Sequence, residues 1–100
     1  MPSLTIDLRE GFHHDAVVIE VDGREVYRQE DVTTRLQIGL ADRVECSTAG
    51  EQVKVRIVLP VREKARAIEL KGASPVFLGA TLTEDGQIDF RHQSEPFGYV

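Results

Sequence analysis

The sequence predicts an all-β fold: one antiparallel β-sandwich domain spanning residues 1–100, with eight or nine strands and Greek-key connections. Three observations predict it. Apolar residues recur at every second position through most of the chain, the pattern of strands with one buried and one wet face. Turn signals return about every ten residues. At 100 residues with 41% hydrophobic content, there is material for one modest core. A jelly roll or a small barrel is the structural alternative.

The elements follow in order. Leu4, Ile6 and Leu8 alternate with Thr5 and Asp7, placing a strand over 3–8. Val17, Ile19 and Val21 define 16–21, and Asp22-Gly23 joins that run to 24–29 as a two-residue hairpin, because both residues tolerate positive φ. Val32, Thr34, Leu36 and Ile38 alternate next and predict a strand over 32–38. A run over 43–48 meets the long strand 52–59 at Ala49-Gly50-Glu51, which reads as a third hairpin. Pro60 ends the long strand because proline has no N–H for the ladder. Val61–Leu70 is the one ambiguous stretch: Glu63, Lys64, Ala65, Arg66 and Ala67 have helical propensity, but Ile68 and Leu70 restore the strand period over 65–70. The last two strands, 76–82 and 86–92, flank Thr83-Glu84-Asp85-Gly86, where Gly86 can take the left-handed position of a longer hairpin.

Part of this rhythm resembles a known family. Val21-Asp22-Gly23-Arg24-Glu25-Val26, then Gly50 through Ile57, then Pro60, resembles small transthyretin-like sandwiches, including the carboxypeptidase regulatory and PEGA-type domains. The likeness covers the middle third to half of the chain. The Pro-x-Gly usual before the long strand is replaced by Ala49-Gly50. The resemblance implies a Greek-key sandwich, transthyretin-like or immunoglobulin-like in shape, with binding or spacer roles. It supplies no catalytic residues.

Charge and composition bound the function. The net charge is −5, so nucleic acid and anionic membranes are poor partners. The balance is uneven: residues 1–53 net −6, residues 54–71 net +4 and residues 72–100 net −3. The N-terminus lacks a basic region followed by an apolar one, and no run is long enough to span a bilayer, which gives the expectation of a cytoplasmic protein. The single Cys46 forms no internal disulfide and falls in phase with Val44 and Thr48, as a core thiol would.

Three groups of residues carry candidate chemistry. His13-His14-Asp15, with His92 in phase with Ile88 and Phe90, offers metal-ligand types without a recognised spacing, so no metal or cofactor is assigned. Lys54 and Arg56 project from the wet face of the long strand, and Arg62, Lys64 and Arg66 follow at the same spacing; the rows suit an anion or an acidic partner, or else a solvated face paired to Glu20 or Glu45. Phe97 and Tyr99 give the C-terminal segment two of the six aromatic residues. They serve either as a plug for the small core or as an apolar patch for a partner or second copy. No motif for a nucleophile, phosphate loop or dinucleotide site occurs, so an enzyme is not expected. The expected function is a small protein-interaction domain, self-association included, through a sheet edge or Phe97, Tyr99, Lys54 and Arg56. The alternative is a module for an anion, carbohydrate or divalent metal. With no Trp and two Tyr, sugar stacking is the weakest of these.

Overall fold

A computed structural model describes residues 3–35, 37–47, 52–71, 76–93, 95 and 97. Among the described residues, eight strands form two four-stranded sheets packed face to face: β1 (Ser3–Leu8), β2 (Asp15–Val21), β3 (Arg24–Val32), β4 (Asp42–Ser47), β5 (Gln52–Leu59), β6 (Lys64–Lys71), β7 (Val76–Leu82) and β8 (Ile88–Gln93). The first sheet runs β4-β1-β7-β8 and the second β3-β2-β5-β6. Leu4, Ile6, Leu8, Leu78, Ala80 and Leu82 on one inner face meet Val17, Ile19, Val53, Val55, Ile57 and Leu59 on the other. The β-sandwich expected from the period-two pattern is therefore the observed fold. Among the described residues no helix is long and apolar enough to cross a membrane, which says nothing of β-barrels.

Two hairpins are built as their residues dictate. Asp22 and Gly23 both have positive φ, 51° and 82°, the geometry whose twist matches a two-residue hairpin. The Asp22 carboxylate also accepts a hydrogen bond from the Lys54 amide at 3.0 Å, tying the turn to β5. At 83–86 the Gly86 amide donates to the Thr83 carbonyl at 2.9 Å, and Gly86 has φ 81°. The Thr83 hydroxyl donates to Asp85 at 2.8 Å, which holds that carboxyl below its ordinary value.

Three sequence expectations are corrected. Among the described residues of 32–38 there is no separate strand. Val32 ends β3, and the Thr34 side chain, 8% exposed, accepts from the Phe12 amide and donates to the Arg9 carbonyl. The chain then closes a turn with Gly39 N–H on the Arg35 carbonyl at 2.8 Å. Two buried threonine hydrogen bonds offset what the alternating pattern would have gained as a strand. The second correction concerns β4 and β5. They belong to opposite sheets and do not pair as a hairpin; the Ala49-Gly50-Glu51 turn expected between them lies outside the described residues. Third, the ladders are not all antiparallel. β1 and β7 pair in parallel, from Leu4 with Val76 to Leu8 with Ala80. β7 enters the first sheet from the second, so no hairpin constrains its direction. The ambiguous stretch after Pro60 resolves as a tight turn, with Glu63 at φ 54°, followed by β6.

The long sides of the sandwich are closed by polar ties. On one side the Tyr27 hydroxyl of β3 donates to Asp42 of β4 at 2.8 Å. Burial, and then this bond, push the Tyr27 hydroxyl well above its ordinary pKa. A raised pKa means that the neutral form is the one the fold holds. Its contribution is full below about pH 10, where unfolded tyrosine is also neutral, and is lost as pH rises toward the raised value. Tyr27→Phe is expected to cost about 1 kcal/mol at pH 7, and the difference from wild type should shrink above pH 10. Urea melts at pH 7, 10 and 11 check this; a difference independent of pH would contradict it.

Candidate functional site

The five cations named in the sequence do not form one patch. Lys54 and Arg56 do share the outer face of β5, and a shallow depression of about 400 Å³ lies among Glu20, Asp22, Gly23, Lys54 and Arg56. There the Arg56 guanidinium donates to Glu20 at 2.9 Å, in the cross-strand register that pairs them, and Lys54 lies opposite Glu69 of β6. Arg62 turns the other way, onto buried Asp15 at 2.6 Å. Arg66 reaches across to the first sheet, donating to the Ile88 carbonyl at 2.6 Å, with its guanidinium 5.4 Å from the Phe90 ring centre. The reason is register: Arg66 pairs with Ile57, so it shares the inward face of β6, whereas Arg56 pairs outward.

The aromatic tail is placed in part. Tyr99 lies outside the described residues. Phe97 is 8% exposed, on the outer face of the first sheet above Gly79. A Cβ at Gly79 would lie 3.0 Å from the Phe97 ring, and Arg9 stacks its guanidinium 4.7 Å from the ring centre. Phe97 thus covers a glycine in the third strand of the sheet, outside the main core cluster. Phe97→Ala is expected to cost about 1–2 kcal/mol, below the usual core value because one side of the ring faces a flexible arginine. Thermal melts check this; an unchanged melting temperature would mean that the ring contributes nothing to folding.

His13 and His14 lie side by side, and His92 sits apart from them on β8. His14 Nδ1 lies 2.6 Å from Asp31, and the His13 and His14 rings meet edge to face at 4.5 Å. The Asp15 carboxylate instead accepts from the His13 amide and Arg62. His92 sits on β8, opposite Leu78. Among the described residues no three His, Cys, Asp or Glu side chains converge as metal ligands would. Cys46 is half-buried against the core, and burial, with Asp22 second, raises its thiol pKa, the setting of a weak nucleophile.

No family model, curated protein or solved structure matches this chain. The candidate site therefore rests on its own geometry.

That geometry singles out β6, whose outer edge has no strand paired to it among the described residues. A terminal strand presents one row of backbone N–H and C=O groups without a ladder partner. β3 ends the second sheet on the other side, but its pairing with β2 slips in register twice. β4 and β8 have six residues each. β6 has eight, pairs with β5 without a break from Gln52–Lys71 to Leu59–Lys64, and contains no proline. Six of its eight residues are exposed. The alternation predicts a strand over 65–70, but not its position at the sheet edge, because strand order depends on contacts between distant segments.

Proposed function

We propose that this chain is a small non-enzymatic protein-interaction domain that binds an extended segment of another chain along β6. The observation that carries the reading is the long, regular, exposed edge of that strand. Adding a strand supplies a full set of main-chain hydrogen bonds without a deep pocket, which suits a sandwich whose apolar side chains are committed to two inner faces. The same reading takes the sandwich as Greek-key. It is supported by the neighbouring β1 and β4 in one sheet, while β2 and β3 form a hairpin in the other. It includes a cytoplasmic setting, in keeping with a chain whose single cysteine builds no disulfide.

A random peptide library selected against the immobilised full chain tests it. Enriched peptides are expected to slow amide hydrogen exchange along 64–71. Peptides that bind while leaving β6 exchange unchanged, or the absence of any enriched peptide, would overturn the reading.

A further inference from the structure

The edge of β6 has a chemistry of its own, and it lies beside an opening between the sheets. β6 carries Lys64, Arg66 and Lys71 against one acid, Glu69, within a chain of net charge −5. Arg66 ties β6 to β8 through the Ile88 carbonyl. Past this tie, toward the far end of both strands, a depression of about 290 Å³ is lined by Glu69, Leu70, Lys71, Val76 and His92. Leu70 and His92 sit at inward-facing positions, opposite Val53 and Leu78 in their ladders. His92 is exposed, and Leu70 forms a buried floor. A cavity of about 150 Å³ is enough to hold a benzene ring, so this one accommodates a branched aliphatic side chain.

Resting on the interaction reading above, we propose that the β6 edge binds an acidic extended segment of a different protein, which places one leucine-sized side chain in the opening over Leu70 and Val76. A strand added to β6 alternates its side chains as β6 does. Its residue opposite Leu70 faces the opening, and its residues opposite Lys64, Arg66 and Lys71 meet cations. Two copies of β6 would bring like net charge together, so the same lysines that disfavour self-pairing favour an acidic partner. Three of the six cations in the +4 segment, Lys64, Arg66 and Lys71, lie on this strand.

The test uses the full chain, nitrogen-15 labelled, with acetylated and amidated ELTVTETE, its basic counterpart KLTVTKTK, and EATVTETE. The acidic peptide is expected to shift and protect the amides of 64–71 and to bind about tenfold tighter than the basic one. Loss of the leucine should weaken it about fivefold. The exposed double variant Lys64→Glu and Lys71→Glu should reverse the charge preference. Equal binding of acidic and basic peptides, or indifference to the leucine, would overturn this inference and leave the interaction reading standing. If no peptide, from the panel or the library, protects β6, both fall. Light scattering is expected to show a monomer whose mass does not rise with concentration. A dimer abolished by the same double variant would overturn the inference in favour of a second copy.

Discussion

Gly11→Ala is expected to destabilise the domain by about 3 kcal/mol or more, which lowers the melting temperature by at least about 12 °C for a chain this size. Two costs coincide there. Gly11 sits at φ 93°, a conformation that L side chains rarely adopt. An added Cβ would also fall far inside the contact distance of the Leu82 carbonyl oxygen, a backbone atom that cannot step aside. The loop at Gly11 lies against the end of β7, with the Leu82 amide donating to the Glu10 carbonyl at 2.9 Å. The clash therefore separates that loop from the first sheet. Gly23→Ala is the control. Gly23 has φ 82° with nothing within 4 Å of a built Cβ, so only the conformational cost of about 1 kcal/mol applies. Thermal melts of the two variants compare them. Equal losses would mean that the Leu82 contact is not rigid.

Arg62→Ala is the second large effect, expected at about 2 kcal/mol. Its source is the partner left behind. The Asp15 side chain is 7% exposed and takes two hydrogen bonds from the Arg62 guanidinium, at 2.6 and 3.5 Å, and one from the His13 amide at 2.8 Å. Without the arginine, a buried carboxylate keeps one neutral donor, and an uncompensated buried charge costs several kcal/mol when fully enclosed. The Arg62 side chain is 42% exposed, so water reaching the site reduces the figure. In a double-mutant cycle, Asp15→Ala together with Arg62→Ala should be less destabilised than the sum of the two single variants, by about 1 kcal/mol or more. Additive losses would show that the pair is not coupled. The exposed Arg28–Glu25 pair, by contrast, should be removable without a measurable change.

These pairs mark where the sequence stops being informative. Asp15 and Arg62 are 47 positions apart, and nothing at either position names the other. The same holds for Asp7 of β1, 1% exposed at a position the alternation assigned to the wet face, where Arg43 of β4 donates at 2.8 and 3.2 Å. The period-two rule sorts side chains to two faces of a sheet but does not say what covers the outer one. Here Phe97 lies over Gly79, which pairs with Asp7 in the β1–β7 ladder. The alternation misled over 32–38 for a related reason. Thr34 fits a strand pattern as well as it fits a buried loop anchor, and the choice depends on the Arg9 carbonyl and the Phe12 amide meeting its hydroxyl.

What the residues alone determined is local: eight strands close to their observed bounds, the Asp22-Gly23 hairpin, the end of β5 at Pro60 and the inward sets Leu4-Ile6-Leu8 and Val53-Val55-Ile57-Leu59. Each follows from side-chain alternation or φ preference within a few residues. The tertiary structure alone decided the parallel β1–β7 pair, the separation of β4 from β5, the dispersal of Arg56, Arg62 and Arg66 to three different partners, and the exposure of β6 at a sheet edge beside the opening over Leu70. Strand order is set by which inner faces bury the most apolar surface together. That is a property of the whole chain, and no short stretch of it carries the answer.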